Sequence, residues 1–187
     1  MALLGGSGGT LMSAFFPEPA AAAAAGTLWA LPPVALLDGG SLDLATWAGR
    51  PALIFNSASK CGYTDANLKG LQALATAHPS LHVLGFPCDQ FGVQEYAAPA
   101  DIAAFARDKY GVSFPLAAPV DVNGPAAHPV FAFLKASSMP ASGADVGWNF
   151  EKWLVGADGR VVQRWGSDFE AASVEAAVAA ELANAGV

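Results

Sequence analysis

Charge is scarce in this chain. Only 13% of its 187 residues are Asp, Glu, Lys or Arg, about half the usual share of roughly 25%. Basic residues are the scarcest: nine Lys and Arg stand against sixteen Asp and Glu, a net charge of -7, with a pI near 4.7. An acidic chain without a basic cluster is a poor candidate for binding nucleic acid or an anionic membrane surface. Cysteine is nearly absent too. Cys61 and Cys88 alone cannot build a disulfide framework or a Cys-rich zinc site. The three histidines, His78, His82 and His128, have no ligand spacing, so no metal is expected. What the chain does have is apolar residues, 53% of the total. That excludes disorder over most of its length and suffices for the core of one domain.

The N-terminal region lacks basic residues altogether: the first is Arg50. A secretory signal needs a basic start and an unbroken apolar run, and the stretch from Gly5 to Gly9 interrupts the run. The uncharged segment from Pro19 to Leu37 raises the question of a membrane span. Gly26, Pro32 and Pro33 break the helix a bilayer demands, so no integral span is expected. Residues 1–27, with six consecutive alanines from Ala20 to Ala25, read as a low-complexity, flexible leader. Residues 28–187 read as one domain. The cytoplasm is the expected compartment, an organellar address in the leader being the alternative.

From Leu28 onward the pattern is regular. Asp38-Gly39-Gly40 signals a turn, and Asp43 to Trp47 a short helical turn. Pro51 to Asn56 and Leu81 to Phe86 are short, apolar and bounded by turn residues, as buried strands are. Thr64 to His78 carries Leu68, Leu71, Leu74 and Ala75 at helical spacing, and Pro79 stops it. Pro99 to Tyr110 predicts a second helix with Gly111 as its stop. His128 to Ala136 predicts a third. Phe150 to Val155 and Val161 to Trp165 flank a hairpin signal at Gly156 to Gly159, and Glu170 to Ala185 predicts a terminal helix. Strand, helix, strand, helix, helix, hairpin, helix is an α/β layer fold with a partly parallel sheet.

Cys61 falls between the first buried strand and the helix that starts near Thr64. Unpaired N–H groups and the positive end of the helix dipole stabilise an anion at such a point, and Lys60 adds a positive neighbour. The placement suits a reactive thiolate; the alternative is a small buried packing residue. Gly62-Tyr63-Thr64 follows, so there is no CxxC pair and no ordinary dithiol relay.

Three segments carry a resemblance. Asn56 to Thr64 (NSASKCGYT), Leu84 to Glu95 (LGFPCDQFGVQE) and Trp148 to Lys152 (WNFEK) resemble, in order and spacing, the signature segments of the glutathione peroxidase family. Tyr110 to Pro115, Asp121 to Gly124 and Ala127 to Pro129 fit between them. The resemblance implies a thioredoxin-like fold with a central mixed sheet flanked by helices. It implies a thiol-dependent peroxidase that reduces hydrogen peroxide and organic or lipid hydroperoxides, with Cys61 where some members carry selenocysteine. The implied catalytic set is Cys61, Gln94, Trp148 and Asn149. Cys61 cycles through a sulfenic acid, and the two amides and the indole supply uncharged donors for the charge that develops. No prosthetic group is implied, only glutathione or another thiol as co-substrate. A peroxide sensor that passes oxidation to a partner thiol is the alternative function.

The chain departs from the family pattern in places. Ser57 stands where Val is usual, and Asp89 where Asn is usual, which brings a negative charge near the site. Ala106 occupies the position of the resolving cysteine of thioredoxin-dependent members, and Cys88 reads as a packing residue. Glutathione is therefore expected to be a better reductant than thioredoxin. Only twelve residues separate Lys135 from Trp148, as in the short-loop members, so a monomer is expected. None of the four arginines, Arg50, Arg107, Arg160 and Arg164, is assignable to a glutathione clamp.

Overall fold

The computed structural model describes residues 26–138 and 145–187. Residues 1–25 of the expected leader, and residues 139–144 of the short connection before Trp148, lie outside the described residues. A small hairpin comes first, β1 (Val34–Ala35) and β2 (Ser41–Leu42). The expected turn closes it: Gly39 has a φ of 88° and the Gly40 N–H donates to the Asp38 side chain at 2.8 Å. A 3-10 turn at Leu44–Trp47 is capped by the Asp43 carboxylate, which accepts from the Ala45 N–H.

The main sheet holds β3 (Ala52–Ser57), β4 (His82–Pro87), β5 (Lys152–Val155) and β6 (Val161–Trp165). Their order is β4-β3-β5-β6. β3 runs parallel to β4 and antiparallel to β5, and β5 is antiparallel to β6, so the sheet is mixed as expected. β3 and β4 are apolar along almost their whole length because both faces are covered. Gly85 is glycine for a packing reason: a Cβ there would sit 2.7 Å from the Phe55 ring and from Leu116.

The helices are α1 (Thr64–Ala77), α2 (Pro99–Tyr110), α3 (Pro129–Ser137) and α4 (Ala171–Ala185). Gly111 ends α2 in the left-handed conformation expected of a C-terminal stop. Two cores result. Leu53, Phe55 and Leu154 face Leu68 and Leu71 of α1 and Val174 and Val178 of α4. Ile54, Leu84, Phe86 and Trp153 face Phe131, Phe133 and Leu134 of α3. Among the described residues no helix is long and apolar enough to cross a membrane.

Several element boundaries shift by one residue from the sequence expectation, and the start of β5 shifts by two. The strand predicted from Phe150 begins only at Lys152, because Phe150 has a φ of 64°, a conformation that a bulky residue rarely adopts and that cannot continue a strand.

Candidate active site

The two loops at the C-terminal ends of the parallel strands β3 and β4 come together, as ligand-binding loops do in open α/β sheets. The loop after β3 carries Cys61 to the N-terminus of α1. The Thr64 hydroxyl donates back to the Ala58 carbonyl at 2.7 Å, and the Thr64 N–H to the Cys61 carbonyl at 3.1 Å. These contacts fold the loop into a tight turn and set the thiol at the helix end. Cys61 is 9% exposed, reachable but largely enclosed.

The loop after β4 carries Gln94. Its backbone passes through Gly92 and Val93, both at positive φ, 70° and 53°. For a β-branched residue that is strained, and Val93 bears the strain at the position that aims Gln94. The Lys60 N–H donates to the Gln94 carbonyl at 2.8 Å, which docks Gln94 against the residue before Cys61. Glu95 adds a second tie. One of its carboxylate oxygens accepts from the Ser59 N–H at 3.0 Å and the Tyr96 N–H at 2.8 Å. Burial pushes the Glu95 carboxyl up from its ordinary value, opposed by hydrogen bonds from Ser59 and Tyr96 and by the Lys60 charge. The Lys60 ammonium lies 4.6 Å from the centre of the Tyr96 ring.

A third segment, residues 145–151, brings Trp148 and Asn149. Asn149 is fully buried and donates from its amide to Gln94 Oε1 at 3.0 Å, with a longer contact of 3.4 Å to the Phe91 carbonyl. Its own Oδ1 is buried with no hydrogen-bond partner. Because Gln94 commits its oxygen to Asn149, its NH2 is the end left to serve as a donor. Trp148 packs on Phe91 with ring centres 5.8 Å apart and is 41% exposed. The structure thus brings Gln94, Asn149 and Trp148 into one cluster beside the Cys61 loop.

Several residues hold this cluster in place. The Asn56 amide donates to the Trp148 carbonyl at 3.0 Å, and its oxygen accepts from the Glu151 N–H at 3.0 Å. Asn123 clasps the Val146 backbone with both ends of its amide, at 2.8 and 2.9 Å. Gln90 in turn accepts from the Val122 and Asn123 N–H groups. Arg164 and Glu151 form a largely enclosed ion pair of 2.6 Å, and Arg164 also donates to the Asp145 carbonyl. Asn56, Gln90 and Glu95 fall inside the motif segments, but spacing alone does not show that a polar side chain turns inward to hold a loop. The other arginines are engaged as well: Arg50 donates to the Pro79 and Ser80 carbonyls, Arg107 pairs with Asp108, and Arg160 with Asp158.

Cys88 behaves differently from Cys61. It is 1% exposed and belongs to the core on the α3 side, whereas Cys61 packs with the core on the α1 side. Burial pushes the Cys88 thiol up to about 11, so it stays protonated at neutral pH. Both cysteines are free. Ala106 is buried in α2 and shares a small space with Ser57, Ala58, Ser59 and Glu95, directly beneath the Cys61 loop. Among the described residues no group of three or more His, Cys, Asp or Glu is placed to hold a metal ion.

A cysteine at a strand-to-helix junction of a mixed sheet, on a loop tied to a second loop that carries Gln94 and through it to Asn149, defines a thioredoxin-like thiol protein. Solved structures agree. Trgpx in its apo form superposes with a TM-score of 0.68 at 32% identity, covering 85% of this chain and 97% of that one. The DsbF protein of MTB shares the fold alone, with a TM-score of 0.58 at 18% identity over 79% of this chain and 92% of its own. The family model for glutathione peroxidase matches residues 32–135. The hydroperoxy fatty acid reductase gpx1 of Synechocystis sp. is 47% identical over 139 residues, 70% of this chain and 82% of its own length. The chain belongs to the glutathione peroxidase family and is a thiol-dependent peroxidase.

Proposed function

We propose that the chain reduces hydrogen peroxide and organic or lipid hydroperoxides, with Cys61 as the nucleophile and Gln94, Trp148 and Asn149 as its donors. The observation that carries the assignment is the docking of the Gln94 backbone on Lys60, with the Asn149 amide locked onto the Gln94 side chain. The Cys61 thiolate attacks the terminal peroxide oxygen; the S–O bond forms, the O–O bond breaks, and the departing alkoxide leaves as an alcohol after taking a proton. Cys61 becomes a sulfenic acid. A glutathione thiolate then attacks that sulfur and the S–O bond breaks; the hydroxide takes a proton and leaves as water, and a second glutathione thiolate resolves the mixed disulfide to return the Cys61 thiolate and oxidised glutathione. No prosthetic group takes part. The relative from Synechocystis acts, by its name, on hydroperoxy fatty acids, and the exposed Tyr63, Val93 and Trp148 give the three loops an apolar surface suited to such chains.

Glutathione is the proposed reductant because no second thiol is placed to trap the sulfenic acid internally. A disulfide needs Cα atoms within about 4.4–6.8 Å and Cβ atoms that point together. Cys61 and Cys88 join cores on opposite faces of the sheet, and the position beneath the Cys61 loop is Ala106. After one equivalent of peroxide, mass spectrometry should find sulfenic acid on Cys61 without glutathione and a glutathione adduct with it. Peroxide turnover should be faster with glutathione than with thioredoxin. A rapid loss of two hydrogens linking Cys61 to Cys88, with efficient thioredoxin turnover, would reverse the assignment of the reductant.

We further propose residues 28–187 as the peroxidase domain and residues 1–27 as its leader. The proposed compartment is the cytoplasm, where a thiol pool supplies the reducing half of the cycle. Because the connection from Ala136 to Gly147 is short, the protein should be a monomer. Light scattering at micromolar concentration should return the 19.0 kDa of one chain; a stable tetramer would remove the link between loop length and assembly.

A further inference from the structure

Lys152 has no part in the chemistry above, yet it is fully buried. It opens β5 opposite Phe55 of β3. Residues directly opposite in an antiparallel pair project to the same face, so the ammonium lies on the side that holds α1 and Cys61. Its nitrogen donates to the Phe150 carbonyl at 2.6 Å, the Gly166 carbonyl at 2.8 Å and Asn67 Oδ1 at 2.8 Å, with a longer contact of 3.5 Å to the Ser167 carbonyl. A charged lysine has three protons, one for each of the three short contacts. A neutral amine has two protons and a lone pair, and that lone pair would face an oxygen.

Two of these acceptors belong to the site. Phe150 is the left-handed residue directly after Asn149. Asn67 passes the contact on: its amide donates to the Tyr63 carbonyl at 2.9 Å, in the turn between Cys61 and α1, and to the Ser167 carbonyl at 2.8 Å. We infer that Lys152 is a positioning residue of this peroxidase, its charged ammonium tying the Cys61 turn, through Asn67, to the Trp148–Asn149 segment, through Phe150. The inference rests on the proposed roles of Cys61, Trp148 and Asn149.

The groups around the ammonium set its titration. Glu151 neighbours it on its own strand, and Asp168 and Glu170 face it from the segment after β6; the Phe169 ring centre is 6.0 Å away. Asn67 and Phe55, from α1 and β3, are uncharged. Burial outweighs the three carboxylates and lowers the Lys152 pKa to about 8, from 10.5. Above that pH the third proton is lost and the tie loosens, so the rate of Cys61 oxidation should fall. Stability moves the other way. The folded pKa lies below the unfolded one, so between about 8 and 10.5 the unfolded chain binds more protons and stability from this group rises with pH. An alkaline loss of rate therefore cannot be unfolding driven by Lys152.

The test is single-turnover oxidation of Cys61 by hydrogen peroxide from pH 6 to pH 10, roughly two units either side of the Lys152 transition, with urea unfolding of each protein. Wild type, Lys152→Met and Asn67→Ala are compared. Wild type should lose rate above about pH 8 while remaining folded. Lys152→Met should be about ten- to a hundredfold slower at neutral pH, the order a misplacement of around 1 Å can produce, and should lack the alkaline limb. Asn67→Ala keeps the ammonium and its two short carbonyl contacts but removes the tie to the Cys61 turn; it should be slowed at neutral pH and should lack the alkaline limb, because a neutral amine still has a proton for each remaining carbonyl. A Lys152→Met protein with the wild-type rate and profile overturns the inference. If that variant does not fold, an Asn67→Ala protein with an unchanged rate overturns it instead. Mass spectrometry tests the role of Cys61 separately: oxidation of wild type at a residue other than Cys61 defeats the assignment of the nucleophile, whatever the variants do.

Discussion

Cys61→Ser is expected to lose essentially all peroxidase turnover, a fall on the order of a thousandfold or more, as when the nucleophile of a cooperating catalytic group is removed. The serine hydroxyl preserves size and leaves the turn contacts made by Thr64 and the Cys61 carbonyl intact. It cannot ionise near neutral pH, and oxygen lacks the sulfur chemistry that carries a sulfenic acid. The protein should therefore unfold at nearly the wild-type denaturant midpoint while consuming no peroxide. Steady-state consumption with glutathione, read beside urea unfolding, separates chemistry from folding. Near-normal turnover in the serine protein would remove Cys61 from the mechanism.

The donor cluster should show the next largest effects. Asn149→Ala, Gln94→Ala and Trp148→Phe are each expected to slow Cys61 oxidation. A well-aimed donor lost from a site of developing charge costs about 2.7–4 kcal/mol, or roughly 100- to 1000-fold in rate. Asn149→Ala should be the most damaging, because Asn149 is fully buried and its amide is what orients Gln94. The two amides act as a unit, so the double variant Gln94→Ala/Asn149→Ala should be little slower than Asn149→Ala alone. Trp148→Phe keeps the ring against Phe91 and removes only the N–H, so its effect isolates the indole proton. Stopped-flow oxidation is the measurement, and unchanged rates in all three variants would leave Cys61 without the proposed donors.

Much of the site is legible in the amino-acid order, for a physical reason. A reacting thiol is favoured at a helix N-terminus, and a strand, turn and helix leave their marks within about a dozen residues around Cys61. The pairing of Gln94 with Asn149 is not legible that way. It crosses 55 positions and depends on Gly92 and Val93 at positive φ, on Asn123 clasping Val146 and on Asn56 holding the Trp148 carbonyl. Without the family resemblance, Gln94, Trp148 and Asn149 read as a surface loop residue, a core aromatic and a turn residue.

The element order was readable from apolar spacing and from Gly and Pro punctuation, because those signals act within a few residues. Helix α2 and strand β6 fall where their sequence patterns begin and end, and Gly111 stops α2 because glycine meets no steric penalty at positive φ. Strand β5 starts two residues later than its apolar run suggests. The Phe150 N–H donates to the Asn56 carbonyl, far away in the chain, and the Phe150 carbonyl accepts from the Lys152 ammonium. The sequence already sets Cys61 at the start of α1 and reads Cys88 as a packing residue. Tertiary structure decided which core takes each: Cys61 packs on the α1 side and Cys88 beneath α3, where burial keeps the second thiol protonated. Local sequence determines which elements form. Which side chains meet, and which core takes each thiol, follows from long-range packing that periodicity does not encode.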